Sequence, residues 1–142
     1  MAEIHHSISI SASPEVVDAL VSTAEGFRQW WAEDVEPQPD GSVGLGFFDR
    51  TTVYRLRLVE RSALRVTWHC ETGQEWQHTD LIFHLHPQAS GVLLDFLHTN
   101  WQDPTPYFVS CNTTWGALMF RLKSAAEGRQ VGPLFGKDSM AY

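Results

Sequence analysis

Residues 4–11, IHHSISIS, put Ile4, His6, Ile8 and Ile10 on one face and His5, Ser7, Ser9 and Ser11 on the other. A period of two predicts a strand with one buried face. Ser13-Pro14-Glu15 comes next: a hydroxyl suited to capping a helix, then a proline whose fixed φ suits the first helical position. The helix it opens carries Val16, Val17, Leu20 and Val21. A second short helix is expected from Thr23 through Phe27 to Trp30 and Trp31. Residues 37–44, PQPDGSVG, read as loop, with a small strand expected ahead of it at 34–36. From VGLGFF onward strand follows strand, at about 42–48, 52–60, 63–71, 78–86 and 91–99, with short turns such as DRT, RSA and PQASG between them.

The period then changes. Across about 106–127, Phe108, Cys111, Trp115, Leu118, Met119, Leu122 and Ala126 recur near helical spacing, and Glu127-Gly128 supplies a glycine stop. One domain is expected at 1–128. The segment 129–142, RQVGPLFGKDSMAY, forms a tail whose Val131, Leu134 and Phe135 either fold back or meet another chain. The order predicts an α+β fold: a curved antiparallel sheet of six or seven strands, with the long helix covering its concave face.

Composition narrows the partners. A net charge of −7 gives no basic footprint for nucleic acid or an anionic membrane. No stretch approaches the ~18 apolar residues of a membrane span. The opening MAEIHHSISISASPEVV lacks the basic flank and apolar run of a signal peptide. Cys70 and Cys111 make neither a disulfide framework nor a metal spacing, so a reduced, cytoplasmic protein is expected.

The segments ISISASPEVVDAL (8–20), EGFRQWWAEDV (25–35), LRVTWHCE (64–71), TDLIFHLHP (79–87), LLDFLHTNW (93–101) and TTWGALMFRLKSAAEG (113–128) span nearly the whole chain. In these the sequence resembles the START-like, or SRPBCC, superfamily, and within it the domain of the Aha-type activators of the heat-shock ATPase. The resemblance implies the helix-grip fold, a sheet wrapped around the long helix with an apolar cavity between. Members of the superfamily include lipid carriers, polyketide cyclases, hormone receptors and chaperone partners, so the fold does not choose a function.

Turn lengths, an apolar inner face and a first strand lying beside the last (as the resemblance implies) give three rungs across the sheet. The far rung is Val43, Leu58, Val66, Phe83, Leu94 and Ile10; the middle one is Leu45, Leu56, Trp68, Leu81, Phe96 and Ile8. The near rung is Phe47, Tyr54, Cys70, Thr79, His98 and His6. None of these positions is Asp, Glu, Lys or Arg. The pattern predicts a greasy pocket with one polar end, rimmed by Trp101, Tyr107 and Phe108 of the aromatic stretch HTNWQDPTPYF. The expected ligand contacts are His6, Tyr54, Trp68, Cys70, Leu81, Phe83, Phe96, His98, Trp101, Tyr107 and Trp115. The start of the long helix, nearby, would favour an anionic or acceptor group on a flat apolar ligand.

His6 and His98 are either an acid–base pair or strand-end side chains satisfied by hydrogen bonds; a slip of two residues would separate them. Leu81, Phe83 and Leu85 claim the inner face, so His84 and His86 point outward with no third metal ligand evident; no metal or cofactor is expected. Cys70 reads as a small buried hydrophobe, and GSVGLGFF, lacking a following helix, is no dinucleotide site. The leading expectation is a protein that binds a small apolar or aromatic molecule. The alternatives are a cyclase- or aromatase-like enzyme using His6, His98 and Tyr54, and a chaperone-type protein-binding module. Homodimerisation through the tail is compatible with each.

Overall fold

The computed structural model describes residues 1–136. β1 (Ala2–Ile10) leads into α1 (Pro14–Val21) and α2 (Ala24–Trp30). Then come β2 (Val35–Pro37), β3 (Val43–Phe47), β4 (Thr52–Ser62), β5 (Arg65–Cys70), β6 (Asp80–Gln88), β7 (Gly91–Trp101) and α3 (Pro106–Ala126). The strands form one antiparallel sheet of seven, in the order β1-β7-β6-β5-β4-β3-β2. This is the helix-grip arrangement.

Each helix starts on a side-chain cap. Ser13 Oγ accepts from Val16 N–H at 3.3 Å, Thr23 Oγ1 from Gly26 N–H at 2.9 Å and Thr105 Oγ1 from Phe108 N–H at 3.2 Å. Pro14 and Pro106 occupy first-turn positions, where a missing N–H costs nothing. Gly26 is required by packing: a Cβ there would lie 2.3 Å from the Ala19 carbonyl oxygen, so α1 and α2 could not meet as they do. α3 buries Cys111, Trp115, Leu118, Met119, Leu122 and Ala126, the stripe its spacing predicts.

The inner face of the sheet carries the expected residues, but the rungs differ from the expected ones. Only β5 and β6 pair as derived, with Val66 opposite Phe83 and Trp68 opposite Leu81. Elsewhere the register is displaced by two residues, which preserves which side chains point inward. Phe83 faces Phe96 because β6 continues through Pro87 to Gln88 and turns on Ala89-Ser90 alone. Leu56 faces Cys70, and an irregularity between Leu58 and Glu60 shifts the register so that Arg61 lies opposite Val66 and Ser62 opposite Arg65. Val43 faces Leu56 because Phe47 and Thr52 close a tighter turn. On the far side His98 lies opposite Ile4, and His6 opposite Phe96.

The tail folds back as far as it is described. Phe135 bridges Ala32 in parallel fashion, with Leu134 N–H donating to Trp30 O and Phe135 N–H to Trp31 O, both at 3.1 Å. Arg121 Nη1 reaches the carbonyls of Val131, Gly132 and Pro133 at 3.0, 3.0 and 3.4 Å, fixing the segment against α3. The rest of the tail, 137–142, lies outside the described residues.

Candidate functional site

Where α3 begins, the sheet and helix do not close on each other. A cavity of about 190 Å³ remains between the first turns of α3, the β3–β4 hairpin and the back-folded tail. Phe47, Tyr54 and Trp76 wall one side; Tyr107, Cys111 and Trp115 come from α3. Trp31 and Phe135 complete the wall, and the half-exposed Phe48 and Tyr107 stand at its edge.

Trp76 is the residue the sequence reading missed. It comes from the connection between β5 and β6, ETGQEWQHT, where a single tryptophan among polar residues was the available signal. Gly73 makes the inward turn at φ +109°, a conformation that side-chain-bearing residues rarely adopt. A Cβ there would also sit 2.7 Å from the Tyr54 ring. Trp76 stacks on Tyr54, with centroids 4.0 Å apart and planes at 6°. Its plane is also nearly parallel to that of Trp115, 18° away at 6.1 Å.

Behind Trp76 lies His98, edge-on at 4.7 Å and fully buried, outside the cavity wall. The indole N–H of Trp115 can only donate, and it reaches His98 Nδ1 at 3.1 Å. The imidazole hydrogen therefore resides on Nε2, which donates to Thr79 Oγ1 at 2.9 Å. Thr79 in turn donates to the Trp76 carbonyl at 2.5 Å. Every polar atom in this buried chain is satisfied, and burial pulls the His98 pKa down to about 3. His98 is a neutral structural histidine at physiological pH.

The other expected contacts are dispersed. His6 sits half-buried against α3, within 3.2 Å of the Asn112 carbonyl through Nε2, and two residues out of register with His98. Trp68 donates to Val21 O at 2.8 Å and packs on Phe27. The Cys70 thiol donates to Thr72 O, and burial pushes its pKa up to about 12. Leu81, Phe83 and Phe96 are fully buried, with Phe96 4.2 Å from Trp115. The greasy depth is thus filled by side chains. Trp101 is buried beside His98 at 4.8 Å and borders a separate, more polar cleft with Gln74, His78 and Asn100. Of the residues expected to touch a ligand, Tyr54, Tyr107 and Trp115 line the cavity.

Among the described residues, no Asp, Glu, Lys, Arg or His lines it. The Tyr54 and Tyr107 hydroxyls are hydrogen-bonded to each other. Burial pushes the Tyr54 phenol up to about 12 and raises Tyr107 and the Cys111 thiol as well. All three are neutral groups at physiological pH, and none is an activated nucleophile. On the outer face of the sheet His69 meets Asp80 at 2.7 Å and His86 meets Asp95 at 2.9 Å. Among the described residues no group of three or more His, Cys, Asp or Glu could hold a metal ion, and no helix is long and apolar enough to cross a membrane.

A curved antiparallel sheet gripping a long C-terminal helix, with a hollow at one end, defines a protein of the START-like, helix-grip class. Residues 11–127 match the family described as activator of Hsp90 ATPase homolog 1-like protein, and the chain belongs to that family. Its fold is similar to the Aha1 dimer from Colwellia psychrerythraea, at 26% identity and a TM-score of 0.80, covering 90% of this chain and 98% of that one. A START superfamily protein from Mycobacterium smegmatis is 18% identical with a TM-score of 0.66, covering 88% of this chain and 97% of that one. DynU16, from the dynemicin biosynthetic locus, is 14% identical with a TM-score of 0.71, covering 90% of this chain and 48% of its own. No curated protein matches the sequence.

Proposed function

We propose that this chain binds a small, flat, apolar molecule of one or two rings in the cavity beside Trp76. The observation that carries the reading is an unfilled volume of about 190 Å³ whose wall is mostly aromatic and apolar. An engineered apolar cavity of about 150 Å³ holds benzene, so the space suits a single ring with a substituent or a compact bicycle. It does not suit a lipid chain or a polycyclic skeleton. Tyr54, Tyr107 and Trp115 are proposed as ligand contacts, with Trp76, Phe47 and Cys111 added to them. An acid–base role for His6 and His98 has no support in the geometry, since neither lines the cavity and the two are out of register.

Self-association is a second reading. Val109 and Phe120 are 59% and 67% exposed on α3, three helical turns apart on one stripe, and the similar Colwellia protein is a dimer. One experiment addresses both readings. Native mass spectrometry of the protein from its own host is expected to show a stoichiometric small molecule, identifiable after extraction, and to report the number of chains. A protein that is empty, and stays empty through a thermal-shift screen of one- and two-ring aromatics, would sink the ligand reading.

A further inference from the structure

The polar groups around the cavity say more about its ligand than size alone, given that the cavity is a binding site at all. Two tyrosine hydroxyls bring two hydrogens to their mutual contact, and the link between them uses one. The other hydrogen is left to find an acceptor. Trp76 Nε1–H, a donor only, is buried and meets no oxygen or nitrogen acceptor among the described residues; beside it lies the Cys111 thiol, a weak acceptor that also faces Tyr107. The donor hydrogens of this wall are therefore poorly paired, and a buried donor in that position gains when a stronger acceptor arrives.

Negative charge is a different matter. Among the described residues no cation lines the cavity to compensate a buried anion, and Glu75 lies close enough to work against ionisation of both Tyr54 and Cys111. The helix start, which on sequence grounds would draw an anion, is already served. Thr105 Oγ1 accepts from Phe108 N–H and donates to the Glu75 carboxylate at 2.5 Å, so a resident acid occupies the positive end of α3.

We infer that the cavity selects an uncharged, planar aromatic molecule bearing one hydrogen-bond acceptor, such as an aryl carbonyl, anchored by the Tyr54–Tyr107 hydroxyl pair and the Trp76 N–H. Its ring lies along the face built by Tyr54, Trp76 and Trp115, and its acceptor takes a hydrogen that in the empty cavity meets only the weak Cys111 thiol or solvent. Carboxylates of the same ring size are excluded.

Three probes of one ring size test this at pH 7 by calorimetric or NMR titration: acetophenone, benzoate and ethylbenzene. Acetophenone is expected to bind about fivefold more tightly than ethylbenzene, the worth of one hydrogen bond. Benzoate should bind at least about tenfold more weakly than acetophenone, because its charge is buried unpaired. Tyr54→Phe/Tyr107→Phe, which removes both hydroxyl hydrogens, with its fold checked by circular dichroism, should bring acetophenone down towards ethylbenzene and leave ethylbenzene unchanged. Benzoate binding as tightly as acetophenone would overturn the selection and leave the cavity reading standing. Selectivity that survives in Tyr54→Phe/Tyr107→Phe would overturn the tyrosine anchor. Failure of all three probes to perturb the cavity residues would overturn the binding reading itself, and the inference with it.

Discussion

α3 meets two different surroundings along its length. Through one side of Trp115, and at Met119 and Leu122, it faces a packed interior in which Phe83, Phe96 and Trp30 interlock at ring separations of 4.2 to 6.3 Å. Two turns earlier at Tyr107, one turn earlier at Cys111, and on the other side of Trp115, it faces a hollow. The residues are no less aromatic there, but their rings are spent on each other. Tyr54 and Trp76 stack face to face and hold a flat wall, where Phe83 and Phe96 project and mesh. Leaving about 190 Å³ unfilled costs at most about 4–5 kcal/mol relative to a packed interior, and less because the space opens towards solvent. A domain of marginal stability carries such a hollow at a disadvantage unless something occupies it. The difference teaches that one end of the helix is packed for folding, while the other keeps open the space in which binding is proposed.

Truncation at the solid end should have the largest effect. Phe96→Ala removes a ring that touches both Phe83 and Trp115 and is expected to cost about 3–5 kcal/mol in urea unfolding. A loss below about 1 kcal/mol would mean that the interior there is loose, and the contrast between the two ends would collapse.

The same contrast explains what could be read in the sequence. Period-two alternation gave the inward faces of all the long strands, and period 3.6 gave the buried stripe of α3, because both follow directly from backbone geometry. Register did not follow, since a two-residue slip leaves the faces unchanged and is set by turns. PQASG looks like a five-residue connection, yet Pro87 and Gln88 remain in strand and the turn is Ala89-Ser90. That slip parts His6 from His98, the pair on which an enzymatic reading leaned. The position of the hollow depends on a residue outside any periodic element: Trp76 fills the space in front of His98, and nothing in the alternation of ETGQEWQHT announces it. The Leu134-Phe135 pair of the tail closes the wall in the same unannounced way.

Acid should expose the buried histidine as a feature of the solid end. The His98 pKa is about 3 in the folded protein against an ordinary value of 6.5, so between these values the unfolded chain binds the extra proton. Stability therefore rises with pH across that window and falls as pH drops below 6.5, by up to about 1.4 kcal/mol per pH unit. Between pH 6.5 and 5 the loss from this group is expected to be on the order of 2 kcal/mol. Urea midpoints for the wild type and His98→Gln, taken at both pH values, isolate it from the surface histidines. The variant should be less stable at neutral pH yet lose less on acidification, and parallel losses would show that His98 takes up its proton without unfolding the core.

The smallest effect on stability is expected at the hollow end. Tyr107→Phe removes one hydroxyl from a half-exposed ring, leaves the ring in place, and returns the Tyr54 hydroxyl to a space that Cys111, Thr52 and solvent can reach. The unfolding free energy should change by about 1 kcal/mol or less, since one partly solvated hydrogen bond is exchanged for weaker ones. Set beside Phe96→Ala, this tests the division of labour directly. A wall built for binding can lose a polar group cheaply when empty, whereas a wall built for folding cannot lose a ring. A cost of 3 kcal/mol or more, measured by the same urea unfolding, would make the tyrosine pair part of the fold's support, and the division along α3 would then have to be withdrawn.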